Sequence, residues 1–214
     1  MQVTVIGAGN MGRGISHRLV AGGRSVTIVD RDLEEAERLA EELRGAAQGG
    51  ATVEAAEPGT ELRGEVVVLA VYYPGTLDIA RELGERLAGK VVVDISNPLN
   101  ETYDGLATAP GTSAAEELAG SAPSGARIVK AFNTSFSGTL VERQVAGQPL
   151  DVFLAGVDEG AKETVSQLVR DGGPRAIDVG LLERARQLEG LGLLGITLQH
   201  PLGLNFQSAW KLIS

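Results

Sequence analysis

The chain has 214 residues, 43% of them hydrophobic and 22% charged, as in a soluble globular protein with one core and at most a small appendage. Its net charge of −9 argues against nucleic acid and anionic membranes as partners, because both attract basic surfaces. Without cysteine and with only two histidines, disulfides, thiolate sites and a histidine-rich metal site are excluded. No segment resembles a signal peptide or a membrane span, so we expect a cytoplasmic protein.

Short apolar runs alternate with amphipathic segments along the chain. The runs predict buried strands, and the segments with apolar residues on one face predict helices. In chain order these are strand 3–6, helix 11–21, strand 26–30, helix 33–43, strand 51–55, strand 66–71, helix 77–87, strand 91–95, helix 112–118 and strand 127–130. Strand 150–155, helix 159–169, strand 175–179, a leucine-rich segment 181–198 and a terminal segment follow.

This order predicts an α/β fold that is Rossmann-like and doubly wound, with a mainly parallel sheet and helices on both faces. We expect a single domain over residues 1–214. Its Rossmann core would occupy residues 1–134, and residues 135–214 would form a small C-terminal α/β elaboration with a leucine-rich helix.

A glycine-rich turn joins the first strand to the first helix. Gly7-Ala8-Gly9-Asn10-Met11-Gly12 has the G-x-G-x-x-G spacing. Gly7 permits a tight turn, Gly9 lets a pyrophosphate approach the backbone, and Gly12 lets the helix pack closely. The helix N-terminus offers unpaired N–H groups to the phosphates. We therefore expect a dinucleotide-binding domain; the alternative is a glycine-rich turn that binds nothing.

An acidic residue ends the second strand. A carboxylate at Asp30 can accept hydrogen bonds from the adenosine ribose hydroxyls and would repel a 2′-phosphate, which favours NAD. Arg31 could instead pair with a 2′-phosphate or stack on adenine, and Arg13 is a second candidate phosphate partner. Alternatively, Arg31 is a surface residue at a helix start. The choice between NAD and NADP stays open at this point.

Ligands of open α/β sheets lie at the carboxyl ends of the strands. The segment 71–74 follows one such strand, so the backbone of Val71 would line the cofactor, and Tyr72 or Tyr73 could contact ribose or nicotinamide. Asn97 and Pro98 follow the next strand and would turn the chain beneath the nicotinamide. The alternatives are an aromatic loop and a turn without a ligand.

The strand 127–130 leads into Ala131, Phe132 and Asn133. The Asn133 amide could hold a carboxamide or a substrate carbonyl, and Lys130 is either a charged clamp or a strand-edge residue. The leucine-rich segment 188–195 is either a pocket for a flat ring or part of the core or of a dimer interface.

No catalytic side chain is predicted. The sequence has no Ser-His-Asp set, no paired-carboxylate signature, no P-loop and no predicted metal site. Hydride transfer between two bound redox rings needs positioning and exclusion of water more than acid–base help. Two other hypotheses remain: a dehydrogenase of a small carbonyl or imine substrate, and an NAD(H)-sensing regulatory module without turnover.

An ordered series of segments resembles the family of small dinucleotide-binding oxidoreductases typified by the NADPH-dependent reductase of coenzyme F-420, a deazaflavin. The segments are 5–12, 67–71, 92–99, 111–118, 129–134, 184–189 and 210–212. The resemblance implies a Rossmann-like homodimer that passes hydride between nicotinamide C4 and a small-molecule partner, coenzyme F-420 or a flavin.

The resemblance also implies site residues and a coenzyme. Asn97-Pro98 and Ala131-Phe132-Asn133 would border the nicotinamide, and no side chain need act as acid or base. In the family the second strand commonly ends in a small hydroxyl residue followed by arginine, which suits NADP. Here Arg31 is kept, but Asp30 replaces the hydroxyl residue and by itself favours NAD.

Overall fold

Strands and helices alternate in the first part of the computed structural model, which describes residues 1–73 and 75–213. The elements are β1 (Gln2–Ile6), α1 (Asn10–Ala21), β2 (Ser25–Val29), α2 (Leu33–Arg44), β3 (Val53–Ala56), β4 (Val66–Leu69), α3 (Gly75–Leu83), β5 (Val91–Asp94), α4 (Ala114–Ser121) and β6 (Arg127–Ala131). Pro74, from the segment 71–74 considered above, and Ser214, at the end of the terminal segment, lie outside the described residues.

The C-terminal part adds further elements to the same sheet. They are α5 (Ser137–Glu142), β7 (Gln144–Val145), β8 (Gln148–Pro149), β9 (Asp151–Gly156), α6 (Glu159–Asp171), β10 (Arg175–Asp178) and α7 (Ala185–Thr197). The strands β7 and β8 form a separate antiparallel hairpin. A 3-10 helix, Leu182–Arg184, leads directly into α7.

The main sheet has the strand order β10-β9-β6-β5-β4-β1-β2-β3. All neighbours run parallel except β6 and β9, which pair antiparallel, so β9 and β10 run against the rest. The strand β1 pairs with both β2 and β4, which places a topological switch point at the carboxyl ends of β1 and β4. The predicted Rossmann-like, mainly parallel α/β fold is confirmed.

Some element bounds differ from the predicted ones. The predicted helix 112–118 begins at Ala114, because the Ser113 hydroxyl caps it by accepting from the Glu116 N–H. The predicted helix 77–87 is divided into α3 and a 3-10 turn, Gly84–Leu87. The short helix α5 and the β7–β8 hairpin were not predicted.

Apolar side chains fill both faces of the sheet. The helices α1, α2, α5 and α6 cover one face, with Ile15, Leu39 and Val165 among the buried residues. The helices α3 and α4 and the start of α7 cover the other, where Leu83 and Leu118 are buried. Within residues 1–73 and 75–213, no helix is both long and apolar enough to cross a membrane. The expected cytoplasmic location stays a prediction.

Candidate functional site

The glycine turn lies at the switch point of the sheet. Gly7 has a φ of +113°, and a Cβ there would overlap the carbonyl oxygen of Ala70. A Cβ at Gly12 would overlap the carbonyl oxygen of Gly7, so both glycines are required by close backbone contacts. In contrast, a Cβ at Gly9 meets no atom within 4 Å. The space over Gly9 is therefore open, as a pyrophosphate would need.

The N-terminus of α1, like that of α7, has no side-chain cap. Gly9 is its N-cap residue and supplies no side-chain hydrogen bond, and the first turn carries no acidic residue. The helices α2 and α6 are instead capped by the carboxylates of Asp32 and Asp158. Asn10 is exposed at the start of α1, while Met11 is partly buried and packs on the core. The N–H groups of this first turn can bind a ligand phosphate.

Asp30 holds the glycine turn against the end of β2. Its Oδ2 accepts a hydrogen bond from the Ala8 N–H at 2.7 Å, and its Oδ1 accepts from the Asp32 N–H at 3.0 Å. The carboxylate and the neighbouring Arg31 both line a cavity of about 650 Å³ beside Gly7 and Gly9. This volume lies in the range of cofactor sites.

The cavity gathers part of the predicted site and adds residues that were not predicted. Of the predicted residues, it is lined by Gly7, Gly9, Asp30, Arg31, Val71, Tyr72 and Tyr73. The additional wall comes from the loop after β3 and from α3, with Pro58, Gly59, Thr60, Leu62, Asp78, Ile79, Glu82 and Leu83. The rule that ligands lie at carboxyl strand ends also covers the end of β3, so it could have indicated this loop.

Two tyrosines and one arginine at this edge have distinct surroundings. The Tyr72 side chain is 91% exposed, whereas the Tyr73 hydroxyl donates to Glu117 Oε2 at 2.6 Å. Burial, together with this bond, raises the pKa of Tyr73 to about 12. Arg13, the second candidate phosphate partner, is paired with Glu42, which also contacts His17.

A second group of predicted residues lies at the carboxyl ends of β5 and β6. The side-chain N–H of Asn97 donates to the backbone carbonyl of Asn133 at 2.7 Å, and that of Asn133 donates to Asn97 Oδ1 at 2.9 Å. Asn133 also donates to the carbonyl oxygen of Leu188 at 2.8 Å. Pro98 follows this amide pair and is buried. None of these residues lines the 650 Å³ cavity.

Several buried polar atoms near the amide pair have no hydrogen-bond partner among the described residues. They are Ser96 Oγ, Asn133 Oδ1 and Thr134 Oγ1. A buried polar atom without a partner is costly, so these atoms suit a polar ligand group. Ala131 and Phe132 are fully buried, and the Phe132 side chain joins the core while its φ is +63°. Their place beside the nicotinamide stays a prediction.

Lys130 occupies neither of the two predicted environments. Its side chain is 0% exposed on a strand between β5 and β9, and its ammonium contacts the carboxylates of Asp94 and Glu189, each at 2.8 Å. It also donates to the carbonyl of Ser96. The predicted charged clamp is wrong, because the ammonium is bound by groups inside the protein. The predicted strand-edge residue is also wrong, because β6 is an interior strand of the sheet.

The leucine-rich segment 188–195 lies within α7. Leu188, Glu189, Gly192 and Gly195 are buried, and a small cavity of about 140 Å³ lies between Gly195 and the C-terminal segment. This volume is too small for a flat ring system of cofactor size. Of the four leucines in the segment, Leu188 is buried, Leu191 and Leu193 are half-buried and Leu194 is exposed, so the segment is core only in part. Leu194, Leu202 and Phe206 are exposed, and a homodimer at this surface stays a prediction.

Comparisons with known proteins agree with this geometry. Residues 2–98 match the family model described as NADP oxidoreductase, coenzyme F420-dependent. The chain is 29% identical to the F420-dependent NADP reductase of Methanocaldococcus jannaschii, and the alignment covers 94% of each protein. A crystal structure from Arthrobacter sp. FB24, provisionally described as an F420-dependent NADP-reductase, superposes with a TM-score of 0.85 at 28% identity, covering 99% of both chains.

A further similarity covers only part of a longer protein. The chain is 31% identical to the metalloreductase STEAP3 of Rattus norvegicus over 90% of its own length but only 36% of that protein. The M. jannaschii and Arthrobacter proteins are instead matched over nearly their whole length. With its glycine turn at the switch point and the family match over residues 2–98, this chain is similar over nearly its whole length to enzymes described as F420-dependent NADP reductases.

Proposed function

We propose that this chain transfers hydride between a nicotinamide coenzyme and a deazaflavin or flavin-like acceptor. The observation that carries the proposal is the open space over Gly9, which continues into the 650 Å³ cavity at the switch point. The names of the full-length relatives supply the acceptor class, since they are described as F420-dependent NADP reductases.

The chain's own residues would bind and orient the two rings. The N–H groups at the start of α1 would hold the diphosphate, and Asp30 would lie beside the adenosine ribose. A nicotinamide coenzyme supplies a hydride at ring carbon C4 when it is bound. The hydrogen-bonded amides of Asn97 and Asn133 would form the surface against which that ring packs.

Hydride transfer itself needs no proton from this set of residues, and the one proton that a deazaflavin or flavin takes up on reduction would come from solvent. The Tyr73 phenol keeps its proton at neutral pH, because its pKa is raised to about 12. The ammonium of Lys130 and the carboxylates of Asp94 and Glu189 are bound to one another and fully buried. Rate enhancement would therefore come from positioning and from exclusion of water.

We also propose that the coenzyme is NAD(H) rather than NADP(H). The Asp30 carboxylate lines the cavity and is pinned there by the N–H groups of Ala8 and Asp32. A 2′-phosphate close to a fixed carboxylate is repelled, by roughly 1 kcal/mol per pair of unit charges in water and about 4 kcal/mol at an effective dielectric of 20. Arg31 lines the same cavity and would offset part of this repulsion.

Turnover can be measured as the loss of reduced-nicotinamide absorbance. NADH and NADPH are each offered with coenzyme F-420, with FMN, and with a panel of carbonyl and imine compounds. We expect oxidation with the deazaflavin or the flavin and none with the panel. Tight coenzyme binding without turnover by any acceptor would contradict the proposal and favour a sensor; turnover with a panel compound alone would favour a small-substrate dehydrogenase.

A binding-deficient variant provides the control. Gly9→Val fills the open space over the turn, and we expect it to weaken coenzyme binding at least roughly tenfold. It should fold normally, because the new Cβ meets no atom within 4 Å. Gly120→Val is the matched control: a Cβ there also meets nothing, but the residue is exposed on α4 away from the cavity. Unchanged binding by Gly9→Val would contradict the placement of the diphosphate.

A further inference from the structure

A cluster of three buried charges lies directly behind the amide pair of Asn97 and Asn133. We infer that Asp94, Lys130 and Glu189 are positioning residues, which set the orientation of these two amides and thereby the geometry of hydride transfer. This inference rests on the proposed function and adds to it three residues that orient the site without contacting the ligand.

Lys130 ties together three parts of the chain. Asp94 and Lys130 are register partners at the ends of β5 and β6. The Lys130 ammonium has three donors, and they are used by Asp94 Oδ2, by the carbonyl of Ser96 and by Glu189 Oε1. The turn after β5, which leads to Asn97, and the helix α7 are thus both fastened to β6.

The carboxylate of Glu189 accepts hydrogen bonds from three donors. Its Oε1 accepts from Lys130 and from the Ala115 N–H at 3.4 Å, and its Oε2 accepts from the Ala114 N–H at 3.1 Å, both N–H groups lying at the start of α4. Burial raises the pKa of Glu189, and the attraction to Lys130 opposes this effect. Two acceptor oxygens are required here, and a carboxylate provides both.

The cluster is coupled to the amide pair through α7. Asn133 donates to the carbonyl of Leu188, the residue before Glu189. One turn further along, Gly192 faces Asn97 so closely that a Cβ would overlap the Asn97 amide. A rotation or shift of α7 would therefore move both amides, and the Lys130–Glu189 contact holds α7 in place together with the contacts of Glu189 and Arg186 to α4.

Stability alone does not account for this cluster. Two carboxylates and one ammonium that are all 0% exposed have lost their hydration, and such clusters can often be replaced by apolar residues without loss of stability. The strand positions just before them are apolar, with Val93 and Val129 buried on β5 and β6. The fully buried charges appear only where these strands reach the site.

The test is Glu189→Gln. Glutamine has one acceptor oxygen, so if that oxygen keeps the contacts of Oε1 with Lys130 and Ala115, its NH2 group faces the Ala114 N–H, and the contact between α7 and the start of α4 is disturbed. We expect the rate of hydride transfer to fall roughly tenfold to a hundredfold, as small misplacements of reacting groups do. Coenzyme affinity should stay within about twofold, because the diphosphate site is separate. Glu183→Gln, the same change at an exposed residue before α7, should leave both unchanged.

A second readout does not depend on turnover. The fluorescence of reduced nicotinamide reports the surroundings of its ring, so NADH or NADPH bound to wild type and to Glu189→Gln should differ in emission. If wild type shows no turnover but this difference is present, the proposed function fails and the positioning role stands. Equal emission and equal rates in wild type and variant would overturn the inference.

Asp94→Asn tests the same cluster through its residue on β5 rather than the one on α7. Asp94 accepts from Lys130 through Oδ2 and from the Ser96 N–H through Oδ1, so the amide again lacks one acceptor. As for Glu189→Gln, we expect the rate of hydride transfer to fall while coenzyme affinity stays within about twofold. If both variants failed to fold by circular dichroism, the cluster would serve stability and the inference would be overturned.

Discussion

Asp30 contributes to the structure and to the candidate site at the same time. Its two oxygens accept from the backbone of Ala8 and Asp32, so it connects the glycine turn to the start of α2. Each carboxylate oxygen has a second lone pair, which leaves acceptor capacity for a ribose hydroxyl. This one side chain is therefore placed to influence both the shape of the turn and the choice of coenzyme.

Replacing Asp30 by serine tests the coenzyme preference. Asp30→Ser removes a carboxylate that lines the cavity and that we propose faces the 2′ position, while Arg31 still lines the cavity. We expect the ratio of kcat/KM for NADPH over that for NADH to rise by at least roughly tenfold, given the repulsion that is removed. Binding titrations by coenzyme fluorescence should show the same shift in Kd.

Asp32→Ser is the matched control for this change. It removes a carboxylate two residues away, and serine can still cap α2 in its place. The coenzyme ratio should therefore stay as in wild type. If Asp30→Ser left the ratio unchanged as well, the role of Asp30 as a discriminator would be refuted.

At the scale of elements, Asp151 fastens the C-terminal segment to the sheet. It begins β9, and its fully buried carboxylate accepts from Arg175 on β10, from Lys211 and from the N–H of Leu212. Burial alone would raise the pKa of Asp151, but these hydrogen bonds outweigh it and hold the pKa well below the usual range.

The low pKa of Asp151 makes this attachment sensitive to acid. Because the folded pKa lies below the unfolded value of about 3.9, the stabilisation is present above about pH 4 and is lost as the pH falls. We expect Asp151→Asn to lower the free energy of unfolding by about 1–3 kcal/mol at neutral pH. The difference from wild type should shrink in acid, as measured by urea unfolding.

Asp78→Asn serves as the comparison for that measurement. Asp78 pairs with Arg81 on the surface of α3, where exposed pairs contribute about 0–1 kcal/mol. Asp78→Asn should therefore change the free energy of unfolding only slightly at every pH. A difference between wild type and Asp151→Asn that did not change with pH would contradict the linkage argument.

The predictable elements were those with a local pattern. Apolar runs and the glycine turn indicated β1, α1 and the parallel strands, because burial on both faces and φ > 0 leave a signature in the sequence. The reversal of β9 against β6 depends on how a distant segment packs, and it leaves no such local signal. The prediction for the surroundings of Lys130 was wrong for the same reason, since its partner Glu189 lies 59 residues away in the sequence.

On the scale of the whole molecule, the two parts of the chain share their core. The helix α1 packs against α5 and α6, and the buried cluster on that face runs from Val3 to Val169. β6, the last strand of the predicted core 1–134, pairs with β9 of the elaboration 135–214. Folding of either part alone would expose apolar surface that the other covers.

This shared core predicts a single unfolding transition. Trp210 is the only tryptophan and packs near Gly195 in the C-terminal part, so its fluorescence reports that region, whereas far-ultraviolet circular dichroism reports the whole chain. We expect the two signals to have the same midpoint in urea, as one cooperative unit requires. A saturating coenzyme should move both midpoints together, because binding to the native state stabilises everything that unfolds with it. Two separate midpoints would show that residues 1–134 and 135–214 are distinct folding units, and the single-domain prediction would then be wrong.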